Sequence, residues 1–231
     1  MELHITSENG RCFMELCHRV RRMFDLDTDF TSIHRLLGSD PLLAGGMTGG
    51  RVPRLPVAYD PFEFSIRAIL GQQITVKAAT TLAGRITEQA GLACDQTFPE
   101  GLNWYFPSPE ELSQTPIDGL GVTGTRQETI RTVTKAVIDG RLSFAEDQSP
   151  EEFEKRFSAL RGIGDWTVQY VAMRGLGMTD AFPASDLGII KAFTAEEGNP
   201  SIREIVKAAE KWRPYRSYAA LCLWNLSRNR D

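Results

Sequence analysis

Three segments of this chain begin in the same way: Asp60-Pro61-Phe62-Glu63, Ser108-Pro109-Glu110-Glu111 and Ser149-Pro150-Glu151-Glu152. Each has the chemistry of a helix start. The Asp or Ser oxygen accepts one of the N–H groups that the first turn leaves without a partner, and proline sits where an N–H would go unused. The glutamate faces the positive end of the helix. From these starts, and from the apolar periodicity around them, helices are expected at 60–71, 74–90, 108–115, 124–139, 149–160, 165–176, 186–196, 201–211 and 214–227, with further ones at 12–24 and 29–37. Gly45–Pro56 is rich in Gly and Pro and reads as a loop. Only Leu3-His4-Ile5-Thr6 has the pattern of a strand, and one short strand forms no sheet alone. The expected class is all-α.

A length of 231 residues suits one large domain or two small ones. No apolar run reaches the ~18 residues a membrane span needs. The segment Met1-Glu2-Leu3-His4 lacks the basic and apolar regions of a secretory signal, so a cytoplasmic protein is expected. Cys12, Cys17, Cys94 and Cys222 show no metal or redox spacing and read as free thiols. The net charge of -4 argues against coating nucleic acid by bulk electrostatics but leaves room for a local basic face. The stretch 212–230, with Arg213, Arg216, Arg228 and Arg230, is either such a face or a solvated terminus.

The central motif is Leu160-Arg161-Gly162-Ile163-Gly164-Asp165-Trp166-Thr167-Val168. The helix leading in carries Phe153, Phe157 and Leu160 on one face, and the helix leading out carries Val168, Val171 and Ala172. The two glycines are expected to take backbone angles closed to other residues and to let another chain approach. The helix that follows offers free N–H groups and its positive end, which suit a phosphate. Glycines between two helices are more often only a C-cap and a turn, so the motif alone leaves both readings open. A weaker echo, Asp118-Gly119-Leu120-Gly121, reads first as a helix stop and second as another hairpin. Asp186 follows Phe182-Pro183-Ala184-Ser185 and opens an apolar helix with Leu187, Ile189, Ile190 and Phe193. A plain N-cap is the common role for such an Asp. The two roles agree here, because N–H donors and the helix dipole favour an ionised carboxylate.

A glycine hairpin, a helix, a proline-bearing loop and an Asp at the next helix start resemble the helix-hairpin-helix base-excision glycosylases. The closest match is the bacterial inducible 3-methyladenine DNA glycosylase type. It is carried by Asp60–Gln73, Phe106-Pro107-Ser108-Pro109, the hairpin through Met173-Arg174-Gly175, Asp186–Lys191 and Trp212–Ala219, over about 12–228 of the chain. The resemblance implies two helical subdomains with the active-site cleft between them. It also implies an N-terminal sheet domain that is largely missing here, with residues 1–11 as a remnant and 12–231 as the glycosylase domain. The implied function is a monofunctional glycosylase that flips alkylated bases out of double-stranded DNA, hydrolyses the N-glycosidic bond and works as a monomer.

The implied roles fall on named residues. Asp186 is the catalytic carboxylate. Trp166, Tyr170, Trp224 and Leu187 form the base pocket, although aromatics at helical spacing are more often core. Gln72, Gln73, Gly162, Ile163, Gly164 and Thr167 meet DNA, one glutamine acting as a wedge where the best-known member has an apolar side chain. Carbonyls of Ser158, Leu160 and Ile163 hold a structural monovalent cation when DNA is bound, and no cofactor serves catalysis. Lyase-competent relatives place a lysine two residues after the second glycine, where this chain has Trp166, so no lyase activity is expected. With only Cys222 near the C-terminus, no iron–sulfur cluster is expected either. Asp165 departs from the pattern, as a carboxylate there repels a phosphate. The alternatives are a non-catalytic hairpin module that binds damaged DNA, which has no need of Asp186, and a helical interaction scaffold, which explains neither motif.

Overall fold

The computed structural model describes residues 2, 4–5, 12–94 and 102–229, apart from the side chains of 195–197. Among these residues the chain is helical and contains no strand. Leu3 and Thr6 of the expected strand, and most of the 1–11 segment, lie outside the described residues; His4 and Ile5 are in no strand. No described helix is long and apolar enough to cross a membrane. The chain divides into two units, one made of 1–59 and 177–231, the other of 60–176.

The first unit holds α1 (Phe13–Met23), α2 (Phe30–Leu37), α3 (Pro41–Ala44), α10 (Leu187–Glu197), α11 (Ile202–Ala209) and α12 (Arg216–Arg228). Helix α12 is its axis and packs against α10 and α3. Tyr218, Ala219, Ala220, Cys222 and Leu223 of α12 are fully or almost fully buried. Gly46 lies so close to α12 that a Cβ there would sit 1.7 Å from the Cys222 carbonyl oxygen. This close approach gives part of the Gly-rich loop its physical reason. Burial pushes the Tyr218 phenol up to about 12, which keeps it a neutral donor toward Asp25 at 3.2 Å. Burial likewise pushes the Cys222 thiol up to about 12, and all four cysteines are free, as their spacing suggests.

Helix α3 is an element the periodicity does not announce. Asp40 caps it through the Leu42 N–H at 3.0 Å. The same carboxylate accepts the Trp212 indole N–H at 2.7 Å and pairs with Lys211 at 2.9 Å. It therefore ties α3 to the short 3-10 turn Glu210–Trp212 at the end of α11.

The second unit holds α4 (Pro61–Leu70), α5 (Val76–Ala90), α6 (Pro109–Gln114), α7 (Gly124–Ile138), α8 (Pro150–Ser158) and α9 (Asp165–Arg174). The three cap signatures each begin a helix, with Asp60, Ser108 and Ser149 accepting the N–H of Glu63, Glu111 and Glu152. Helix α4 is the centre and touches α5, α7 and α9, while α8 packs on α9 and α6 on α7. Helix α5 starts at Val76 rather than 74, because Gln73 takes a left-handed backbone (φ 57°) that ends the preceding turn.

Burial raises the Asp40 carboxyl, but the bonds from Trp212 and Lys211, the Lys211 charge and the Leu42 N–H outweigh it and hold the group below the usual carboxylate range. A folded value below the unfolded one contributes stability above the unfolded pKa. That stability is lost as pH falls through the folded value. Asp40→Ala should therefore cost about 2–3 kcal/mol at neutral pH, since it removes charge-assisted bonds and strands the Trp212 N–H. Denaturant titration should show this penalty shrinking toward pH 3; a penalty independent of pH would remove the ionised carboxylate from the account.

Candidate active site

The hairpin forms as its sequence suggests. Phe153, Phe157 and Leu160 are buried, as are Val168, Val171 and Ala172, and Ile163 between the glycines is 8% exposed, an anchor for the turn. Of the two glycines, Gly162 takes the expected backbone angle and Gly164 does not. Gly162 has φ 87°, and a Cβ there would lie 1.9 Å from Thr129 Oγ1, so both backbone and packing require glycine. Gly164 has φ −94° and ψ 168°, angles any residue adopts, and a Cβ on it would meet nothing within 4 Å. It is exposed, and it caps α9 with no side-chain oxygen on the first-turn N–H groups. The fold does not demand glycine at 164, whereas an incoming ligand that must reach those N–H groups does.

Asp165 stands on the first turn of α9, and burial pushes its carboxyl up. Helix α8 ends at Ser158, so its last carbonyls lack in-helix donors. The Leu160 carbonyl accepts the Ile163 N–H at 3.1 Å.

Gln72 and Gln73 separate in function. Gln72 Nε2 donates to Thr167 Oγ1 at 3.0 Å and to the Gly162 carbonyl at 3.3 Å, and the Gln72 carbonyl accepts from Arg126. Gln72 thus braces the hairpin against the end of α4, and Thr167, 2% exposed, is its buried partner rather than a surface contact. Gln73 is exposed in a left-handed conformation. That placement is uncommon for a non-glycine residue and concentrates at functional sites.

Trp166 and Tyr170 stack on each other with centroids 4.9 Å apart and planes 16° from parallel, and Tyr170 also meets Phe64 at 5.2 Å. Both rings are half-buried, so this face of α9 is not sealed in the core.

In the first unit, Asp186 caps α10. Its Oδ1 accepts the Gly188 N–H at 2.9 Å and the Trp224 indole N–H at 2.8 Å. Trp224, placed by resemblance in a base pocket, therefore also positions the carboxylate. Leu187 beside it is 75% exposed. Sequence reasoning missed Gly188. A Cβ there would lie 2.9 Å from Trp224 Cδ1 and 3.2 Å from Asp186 Oδ1, so the missing side chain is what admits the indole. The signal was a glycine inside the first turn of a helix, where its entropic cost calls for a packing reason.

The comparisons with known proteins agree with this architecture. The model of the AlkA N-terminal domain matches residues 1–60. The chain is 38% identical to the "Probable bifunctional transcriptional activator/DNA repair enzyme AlkA" of Mycobacterium tuberculosis over 94% of this chain but only 44% of that protein, so it spans under half of that relative. It is 32% identical to "DNA-3-methyladenine glycosylase 2" of Escherichia coli, covering 91% of this chain and 71% of the relative. Its fold matches the Clostridium acetobutylicum 8-oxoguanine glycosylase/lyase solved with double-stranded DNA (TM-score 0.80, 19% identity, 96% of this chain and 77% of the other).

Two outcomes test the geometry. Gly162→Ala should cost about 1–3 kcal/mol through its left-handed backbone, more if Thr129 cannot yield, whereas Gly164→Ala should stay within about 0.5 kcal/mol; equal costs in denaturant titrations would contradict the assignment. Gly188→Ala should push Trp224 off Asp186, seen as an upfield move of the Trp224 indole N–H proton resonance with the other three indoles unmoved. An unmoved Trp224 signal would mean that the helix absorbs the methyl without touching the bond.

Proposed function

The chain belongs to the DNA-3-methyladenine glycosylase family of helix-hairpin-helix proteins, and from that premise we propose that it releases alkylated bases from double-stranded DNA by hydrolysis, leaving an abasic site without a lyase step. The observation that carries the reading is Asp186: a half-buried carboxylate at a helix N-terminus, held by a backbone N–H and an indole N–H on one oxygen. Such a group is set before the reaction and needs no reorganisation when positive charge develops.

The target base must leave the duplex before any protein group can reach it. The hairpin N–H groups at Gly164 hold backbone phosphate, and exposed Gln73 fills the gap that the base leaves. The carbonyls of Ser158, Leu160 and Ile163, at the open end of α8, are hard oxygen donors of the kind a monovalent cation takes; such a cation would add positive charge beside the phosphate. The flipped base stacks on Trp166 and Tyr170. An alkylated purine is cationic, so electron-rich ring faces attract it beyond ordinary stacking. Exposed Leu187 adds apolar contact beside the sugar.

The glycosidic bond breaks with its electron pair going to the base, already a good leaving group because of its charge. The sugar becomes an oxocarbenium ion, which Asp186 stabilises. Water then bonds to the anomeric carbon and gives up a proton, with Asp186 placed to orient or accept it. A covalent route needs an amine, and Trp166 stands where lyase-competent relatives carry lysine.

On methylated duplex DNA, chromatography should find free 3-methyladenine and 7-methylguanine released by the wild-type protein. Asp186→Asn should slow release at least about a hundredfold, about 3 kcal/mol or more in the barrier, and retain affinity for an abasic-site analogue. Borohydride should trap no protein–DNA adduct. Binding without release by the wild type would favour the non-catalytic module, and a trapped adduct would overturn the monofunctional reading.

A further inference from the structure

The glycine echo at Asp118–Gly121 is not used by the reaction above. It is a true pair of left-handed turns, with Gly119 at φ 79° and Gly121 at φ 85°, in the loop before α7. Helix α7, 15 residues long, starts from Thr123 with no side-chain oxygen on its first-turn N–H groups. In this respect it resembles α9 after the hairpin.

Beside this loop lies a cavity of about 500 Å3 whose lining includes Thr75, Lys77, Arg85, Gly121 and Arg126. It is lined by three cationic side chains and by no carboxylate. None of the three forms an ion pair among the described residues. Arg85 Nη1 donates to the Leu120 carbonyl at 3.0 Å, which fixes the guanidinium against the glycine loop. Arg126 donates to the Gln72 carbonyl, which fixes it beside the proposed wedge. Lys77 is exposed and makes no side-chain bond among the described residues. The acid of the loop, Asp118, is occupied by Arg131 at 3.1 Å. In a chain with net charge -4, three cations in one concavity that make no ion pair among the described residues focus a positive potential there.

We propose that this cavity is a second phosphate-binding site, which grips a backbone phosphodiester of the DNA at a point separate from the hairpin. The inference rests on the glycosylase reading for its ligand, while its geometry stands independently. Two guanidiniums anchored by carbonyls and an exposed ammonium suit a tetrahedral anion, the first pair giving directional N–H bonds and the lysine a point charge. Gly121 leaves the approach to Arg85 clear: a Cβ there would lie 2.9 Å from Arg85 Nη1. The cavity wall continues through Ile74 and Thr75 from Gln73, so a phosphate held here would fix the duplex next to the residue proposed to enter it.

The test is binding of the full chain to a duplex with one abasic-site analogue, with single phosphates replaced in turn by neutral methylphosphonates. Lys77→Gln and Arg85→Gln should each weaken binding about tenfold at moderate salt, as expected when one charge-assisted hydrogen bond is removed. The slope of log K against log salt should fall by about 0.9 for each phosphate no longer neutralised. Neutralising one group of phosphates should weaken wild-type binding and leave the Lys77→Gln protein indifferent. Neutralising another should be silent only in Gly164→Asp. Removing exposed Lys77 strands no partner among the described residues, and an unchanged melting temperature checks that its variant is folded. If Lys77→Gln and Arg85→Gln bind as wild type does, with the same salt slope, the second site is refuted while base release by the wild type still upholds the glycosylase. If the wild type neither binds the duplex nor releases bases, both readings fall.

Discussion

Every α-helix leaves its first N–H groups without partners, and this chain answers that constraint helix by helix. Side chains of Asp29, Asp40, Asp60, Thr75, Ser108, Ser149, Asp186 and Ser201 cap the helices that follow them. Helices α7 and α9, which follow the two glycine loops, have no such oxygen. A negatively charged ligand can supply what the sequence withholds there; the proposed hairpin site sits at the start of α9, and the proposed cavity site borders the loop before α7 at Gly121 and the first turn of α7 at Arg126. Helices α1 and α12 also lack a side-chain cap, but neither follows a glycine loop, so a missing cap is informative only together with its surroundings.

Much of the helical frame was legible because these caps are local chemistry. Ser108-Pro109-Glu110-Glu111 specifies its own helix start whatever packs around it, and it closes a full capping box, with the Ser108 N–H held by Glu111. Asp40-Pro41 carries the same Asp-Pro start without the glutamate and begins a four-residue helix. It went unseen because its stability comes from Trp212 and Lys211, far away in sequence. Helix ends were less legible than starts. The residues 159–160 and 175–176 were expected to be helical, and each instead belongs to the turn that leads to a glycine. The helical stretch before Gln73 stops at a conformation that no residue preference announces.

The candidate site was legible to the extent that single residues carry it. Asp186 and the hairpin stand in contiguous motifs, and each has the local geometry its motif implies. The errors concern what residues do to one another. Trp224 was read only as a stacking surface, yet its indole N–H binds Asp186 from 38 positions along the chain. Gly188 is silent until that ring is in place. Gln72 and Gln73 look alike in sequence, but a single change of backbone sign turns one inward to Thr167 and leaves the other exposed. Lys77, Arg85 and Arg126 come from separate stretches of two helices, so their common cavity leaves no linear signature.

The glycines show how the same residue type supports opposite arguments. At Gly162 the backbone angle and Thr129 explain the residue completely, so it says nothing about a ligand. At Gly188 a neighbouring indole explains it. At Gly164 the angles are ordinary and the space is open, so neither internal cause applies. Glycine in an exposed, unstrained position carries an entropic cost with no return inside the molecule. A phosphate that approaches the first-turn N–H groups of α9 meets a bare backbone there. The hairpin's claim to touch DNA therefore rests less on its resemblance to a motif than on the one glycine of that motif which the fold itself does not use.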